Sequence, residues 1–306
     1  MKMIDLGGSG LSVSAVALGC MRIRELDVAK LERLVGAALD AGINFFDHAD
    51  IYGGEESCEA RFGELLRRSP GLRDRMLIQS KCGIRKGFFD FSREHILASV
   101  DRSLSRLGTD RLDVLLLHRP DTLMEPEEVA GAFEELHRTG KVRFFGVSNQ
   151  NPGQMALLQR ALPFKLLVDQ LQFGPAHTLL IDSGLNVNLA NDGGVVRDGD
   201  VLGYCRLNGI TIQAWSPFQY GFFEGVFLNS PRYAQLNETL GRIGLRYNLS
   251  PAAAVIAWIS RHPAGIQTIV GSTRPDRISD LARGAGVPMT REEWYEIYRA
   301  AGNRLP

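Results

Sequence analysis

Asp47, Tyr52, Lys81 and His118 are the residues of this sequence whose types and positions suit proton chemistry. Asp47 and Lys81 each close a short apolar run, His118 follows one directly, and Tyr52 comes five residues after Asp47. The chain has only six lysines, and Lys81 ends an apolar run instead of lying on a helix surface. An ammonium in such a place requires a carboxylate partner, and Asp47 is the natural one. A Tyr beside that ammonium has its anionic form favoured, so its pKa is expected below the ordinary ~10. His118 supplies a hydrogen bond that orients a carbonyl oxygen. Together the four suit delivery of a proton to an oxygen while hydride arrives at its carbon. Asp47 and Lys81 alone are equally a structural ion pair; Tyr52 and His118 in register with them tip the reading toward chemistry.

These residues meet only if the elements that carry them share one end. The chain alternates short apolar runs with amphipathic helical stretches. The runs are Val16–Gly19, Ile43–Asp47, Met76–Lys81, Leu112–Leu117, Val142–Val147, Leu166–Gln170, Ile210–Trp215 and Thr268–Val270. Each is followed by a helix or a helix-bearing loop, and strand–helix alternation implies parallel pairing with right-handed crossovers. Eight units with continuous apolar strands predict an α/β fold, a (β/α)8 TIM barrel, with the site at the carboxyl ends of the strands. A doubly wound open sheet is the rival; it predicts a division into halves, and no linker divides this chain. An N-terminal hairpin around Gly7-Gly8-Ser9-Gly10 and an extra C-terminal helix over 291–301 complete the expected fold. Gly174 to Asp200 reads as a long loop rich in Gly, Asn and Asp, and Phe218 to Ser230 as an aromatic one.

At 306 residues the length alone suggests two domains, but a barrel of this kind takes about 250 residues or more as one, so residues 1–306 read as a single domain. Lys and Arg total 35, as do Asp and Glu, which argues against a nucleic-acid binder. No run of ~18 apolar residues is present, and the first residues lack the apolar core of a signal peptide, so a soluble, cytoplasmic protein is expected. Cys20, Cys58, Cys82 and Cys205 are scattered, without the spacing of a zinc site or a disulfide frame. They read as inert thiols, and no metal is expected. His48 reads as a local hydrogen-bonding residue; His95, His137 and His262 read as surface residues of helices or loops.

The stretch Asn44-Phe45-Phe46-Asp47-His48-Ala49-Asp50-Ile51-Tyr52-Gly53 resembles the first signature of the aldo-keto reductases. Ser80-Lys81, Leu115 to His118, Gly146 to Asn149 and Ala214 to Pro217 resemble further motifs of that family, in its order. The resemblance covers the whole chain and is nearest the bacterial branch with His-Arg-Pro-Asp after the fourth run. It implies NADPH-dependent reduction of aldehydes or ketones, with Tyr52 as general acid, Lys81 and Asp47 supporting it, and His118 at the substrate oxygen. It implies Ser148, Asn149 and Gln170 at the nicotinamide carboxamide, Trp215 stacked on the ring, and Ser216 and Pro217 under the pyrophosphate. Gly271, Ser272, Thr273 and Arg274 are implied at the adenosine phosphate, where a helix start favours anions. Arg277 is implied at the 2′-phosphate, hence NADPH over NADH.

The sequence departs from the family pattern in three places. Gly271 replaces a common Lys, Leu281 a common Asn, and Asp169 stands where Asn is usual. Pocket walls are expected from Met21, Arg22, Phe88, Arg119, Phe218 and Tyr220, with Phe222 and Phe223 nearby. Arg22 and Arg119 suit an anionic substrate group, although Arg119 has Asp121 as an alternative partner. A short tail after the last helix implies an open pocket and loose specificity. A monomer or weak homo-oligomer is the family default, and a cofactor-binding redox sensor on the same barrel is the second functional class.

Overall fold

The structure is a computed structural model that describes residues 1–54 and 57–305. The chain opens with an antiparallel pair, β1 (Met3–Asp5) and β2 (Ser12–Ser14). Gly7, in the turn between them, has φ +59°, and a Cβ there would lie 2.8 Å from Leu167. Its N–H donates to Thr211 Oγ1 at 2.8 Å. The hairpin thus caps the floor of the strand barrel, and Leu6 and Val13 fill that floor with Ala17, Phe45, Val114, Leu116, Leu167, Val168 and Ile269.

The next strands are β3 (Val16–Gly19), β4 (Phe45–Asp47) and β5 (Leu77–Cys82). A small hairpin of β6 (Ile84–Arg85) and β7 (Phe88–Phe89) precedes β8 (Leu112–Leu117), β9 (Val142–Ser148), β10 (Leu166–Gln172) and β11 (Thr211–Trp215). A second hairpin, β12 (Gln219–Tyr220) with β13 (Gly225–Val226), precedes β14 (Gln267–Val270). Strands β3, β4, β5, β8, β9, β10, β11 and β14 pair in parallel and close into a barrel. Closure excludes the open-sheet alternative. All eight apolar runs of the sequence are barrel strands, each shifted by two residues at most.

Around the barrel lie α1 (Val28–Asp40), α2 (Cys58–Arg68), α3 (Arg93–Leu107), α4 (Pro126–Arg138) and α5 (Pro152–Ala161). Asp27, Ser57 and Ser92 cap α1, α2 and α3 by accepting a backbone N–H three residues on. Gly108 ends α3 in the left-handed region, φ +64°. The 174–200 segment is not a continuous loop: Leu179–Leu185 forms α6, followed by a short 3-10 turn at Asp192–Gly194 and then α7 (Val201–Leu207). Helix α8 (Ala234–Arg246) lies in a stretch whose helical character the sequence reading did not extract. Then come α9 (Pro251–Ser260), α10 (Pro275–Gly284) and the expected α11 (Arg291–Ala300). Helix α11 docks on α9 by stacking Trp294 on Trp258, centroids 4.9 Å apart, with each indole N–H donating to the other residue's carbonyl at 3.0 Å.

Candidate active site

The carboxyl ends of β4, β5 and β8 bring the four chemistry-bearing residues together. Lys81 Nζ donates to Asp47 Oδ2 and to the His48 carbonyl, both at 2.8 Å, and to Tyr52 Oη at 3.2 Å. Its side chain is fully buried. Burial alone would lower its pKa; Asp47, with help from Tyr52, more than offsets this and raises it. The Tyr52 ring meets the His118 ring edge-on, centroids 5.8 Å apart. Burial, reinforced by Lys81 and Arg119, pushes His118 well below its ordinary value, so the imidazole is neutral and has one N–H to give. Its Nδ1 is buried without a partner.

Tyr52 corrects an expectation. Its pKa is raised, not lowered: burial outweighs the pull of Lys81. The phenol therefore holds its proton across the neutral range, with the Lys81 ammonium, which favours the ionised form, beside its oxygen.

Asp47 is held by two glutamines that the sequence reading passed over or gave another role. Gln79 Nε2 donates to Asp47 Oδ1 at 2.6 Å and Gln170 Nε2 to the same oxygen at 3.0 Å. Both amides also donate to Gln213 Oε1, at 2.8 and 2.9 Å. Gln213 donates to Gln267 Oε1 at 2.8 Å, and Gln267 to the Ser14 carbonyl at 2.7 Å. A chain of amides thus crosses the barrel interior from mouth to floor. The available signal was period two: Gln79 stands two residues before Lys81, and Gln213 two before Trp215, so each shares a face with a site residue.

Gln170 joins this set to the expected cofactor residues. A carboxylate only accepts, so Asp47 fixes which end of the Gln170 amide turns inward, and its carbonyl oxygen is the end left for an external N–H. Ser148 Oγ donates to the Gln170 main-chain carbonyl at 3.0 Å, Asn149 Nδ2 to Ser148 Oγ at 2.7 Å, and Trp215 Nε1 to Asn149 Oδ1 at 3.3 Å. Ser148, Asn149, Gln170 and Trp215 are therefore one connected patch, and Ser216 (φ +48°) and Pro217 turn the chain immediately beyond it. Across the mouth, Gly271, Ser272 and Thr273 lead into α10, whose N-terminus has Pro275 at its first turn and no side-chain cap. Arg274 is turned onto Asp276 at 2.6 Å, whereas Arg277 is exposed and makes no ion pair among the described residues. Uncapped N–H groups and a free guanidinium fit a phosphate group.

The expected pocket residues divide. Arg119 lies over the rings of Trp215 and Phe222, at 5.5 and 5.3 Å. It does not pair with Asp121, which instead accepts the N–H groups of Phe91 and Leu123. Phe223 stacks on Trp215 at 6.0 Å. Tyr220 turns away, packing on Tyr233 at 5.2 Å beneath Arg232. Phe88 is exposed under Arg85, Met21 and Arg22 are exposed in the turn after β3, and Phe218 packs partly buried against the core. No hydrogen bond, ion pair or ring contact joins Met21, Arg22, Phe88 or Tyr220 to the tetrad among the described residues.

Two histidines also differ from expectation. His48 hydrogen-bonds through neither ring nitrogen; it is buried edge-on against Phe62 at 4.7 Å and held neutral by burial and Lys81, its pKa down to about 3. His95 is buried, with Ser99 and Arg85 at its two nitrogens. All four cysteines are buried, and burial raises each thiol, which suits inert roles. Among the described residues no group of His, Cys, Asp and Glu could hold a metal, and no helix is long and apolar enough to cross a membrane.

A model of the Aldo/keto reductase family matches residues 15–301. The chain belongs to this family. This aldo-keto reductase is 37% identical to oxidoreductase YdhF of Escherichia coli K12 over 313 aligned residues, covering 98% of both chains. It is 36% identical to a 6-dehydroglucose reductase of Novosphingobium aromaticivorans, covering 99% of this chain and 96% of that one. In fold it is similar to a Bombyx mori aldo-keto reductase solved in complex with NADP (TM-score 0.75, 22% identity, 99% and 94% covered). The reductase is an oxidoreductase enzyme on a TIM barrel.

One residue of the reductase yields a stability prediction. Asp169 is completely buried beside Gln170, and neither carboxylate oxygen has a well-formed partner. Burial pushes its pKa up to about 8, with the backbone N–H groups of Gln150 and Asn149 holding it back. The folded protein thus keeps a proton that the unfolded chain releases near pH ~4. Stability from this group is full below that value and is lost as pH rises toward 8, at up to about 1.4 kcal/mol per pH unit. Asn has no such proton to lose. Asp169→Asn is expected to raise Tm at pH 8 by several degrees and to do so much less at pH 5; a pH-independent difference in thermal melts would count against the buried neutral carboxyl.

Proposed function

We propose that this enzyme reduces aldehyde or ketone carbonyls to alcohols with NADPH, and that Tyr52 is the proton donor. The observation that carries the reading is the Lys81 ammonium set between Asp47 and the Tyr52 hydroxyl, with a neutral His118 ring against Tyr52. When bound, the dinucleotide supplies the electron pair and hydrogen that the carbonyl carbon gains. The protein's own residues handle the oxygen. His118 donates a hydrogen bond that fixes it, and Tyr52 gives it the proton as the C=O π bond breaks. Lys81 stabilises the phenolate left behind, and Asp47 keeps Lys81 charged. Ser148, Asn149 and the Gln170 side-chain oxygen would hold the carboxamide, Trp215 would pack on the ring, and Ser216 and Pro217 would line the pyrophosphate path. The α10 N-terminus with Gly271, Ser272, Thr273 and Arg274 would take the adenosine phosphate, and Arg277 the 2′-phosphate.

The test is loss of NADPH absorbance across a panel of aldehydes, ketones, quinones and dicarbonyls, repeated with NADH. Turnover with NADPH supports the reading; cofactor binding with no turnover across the panel favours the sensor role. Arg277→Ala is expected to raise the Kd for NADPH about tenfold, the scale of one charge-assisted phosphate contact, and to leave NADH nearly unmoved. Equal effects on both cofactors would remove Arg277 from the 2′-phosphate.

A further inference from the structure

Arg119 is unlike the other sheltered arginines of this protein. Arg73 is tied to the buried Asp113 at 2.8 Å, Arg61 to Glu64 at 2.9 Å, and Arg106 to Glu59 at 3.5 Å. Arg119 is partly buried, yet its side chain makes no hydrogen bond and no ion pair among the described residues. Two aromatic rings hold it from their faces, Trp215 at 5.5 Å and Phe222 at 5.3 Å. Those rings stand nearly perpendicular to each other, at 88°, and neither offers an oxygen or nitrogen acceptor, so the five N–H donors of the guanidinium have no such partner among the described residues. The guanidinium lies at the mouth: Arg119 follows His118, whose ring meets Tyr52, and Trp215 is tied to Asn149. A half-sheltered cation with unmet donors is costly unless an anion completes it.

We infer that Arg119 is the specificity-determining residue for an oxyanion on the substrate, so that the preferred carbonyl compounds carry a carboxylate, phosphate or sulfonate at the end remote from the reacting carbon. This rests on the carbonyl-reductase reading and narrows its substrate class. Trp215 and Phe222 hold the guanidinium between them; Phe222, exposed on the tip between β12 and β13, makes its placement depend on a surface loop.

The test compares 4-carboxybenzaldehyde with 4-carbamoylbenzaldehyde, which match in shape and differ in charge, under NADPH. The wild-type enzyme is expected to favour the carboxylate about tenfold or more in kcat/KM, the value of one charge-assisted contact. In Arg119→Met that ratio should fall toward one, and in Arg119→Lys part of it should remain. The effect should lie mainly in KM, and circular dichroism should match wild type. Equal kcat/KM for the two aldehydes in wild type overturns the inference. So does a ratio unchanged in Arg119→Met, or a matching loss of NADPH affinity, which would assign the guanidinium to the cofactor. If neither aldehyde is turned over, the carbonyl-reductase reading fails separately. Binding of 4-(hydroxymethyl)benzoate against its carboxamide to the NADP-loaded protein then decides on Arg119: tighter carboxylate binding lost in Arg119→Met upholds the anion site, and equal binding ends it.

Discussion

Replacing Tyr52 by Phe is expected to lower kcat for carbonyl reduction by about 10²- to 10⁴-fold, the range a positioned general acid contributes. Its structural cost should be small. Among the described residues the hydroxyl has one hydrogen bond, accepted from Lys81 Nζ at 3.2 Å, and Lys81 keeps Asp47 and the His48 carbonyl without it. The ring, which packs on His118 and on the core, is retained. Cofactor affinity, measured by quenching of tryptophan fluorescence, should stay close to wild type. Because burial raises the Tyr52 pKa, the wild-type rate of reduction should stay flat through neutral pH and fall only above the ordinary tyrosine range. A Tyr52→Phe enzyme that keeps a tenth or more of wild-type kcat would show that another group delivers the proton.

Lys81→Met should be severe in two ways at once. It removes the charge that stabilises the phenolate, so activity should fall at least as far as in Tyr52→Phe. It also leaves Asp47, 2% exposed, without its cation. Breaking a buried pair by removing one partner costs about 3–5 kcal/mol. Urea denaturation should therefore show a large drop in the midpoint. Removing both charges, in Lys81→Met with Asp47→Leu, should recover much of that stability and none of the activity. A single Lys81→Met variant as stable as wild type would mean that Gln79 and Gln170 alone suffice to hold the carboxylate.

These two variants test residues that were legible in the sequence, and the reason is local. Asp47 and Lys81 are charges closing apolar runs, a placement that needs explaining in any fold, and the barrel brings the ends of those runs together. The strands were legible for the same reason: runs buried on both faces are apolar throughout, and Gly108 marks a helix end by its own conformation. What escaped depends on neighbours distant in sequence. Gln79, Gln213 and Gln267 look like ordinary polar residues until the barrel closes on them. Tyr220 sits beside the site in sequence yet turns to Tyr233, because the β12–β13 hairpin reverses the chain there. The sign of the Tyr52 shift was missed because the sequence names the neighbouring charge but not the depth of burial, and here burial is the larger effect.

The amide chain running from Asp47 to the Ser14 carbonyl has a consequence for the chemistry at its upper end. Gln79 donates both to Asp47 and to Gln213, Gln213 to Gln267 and Gln267 to the Ser14 carbonyl, so donation runs outward from Gln79 to an acceptor at each end and every amide is oriented by its neighbours. Water around a carboxylate must reorient whenever a nearby charge changes; these side chains are already turned. They act as a frozen solvent built into the barrel: in the proposed reaction Asp47 stays solvated as the Tyr52 phenol becomes phenolate, with little reorganisation on that side.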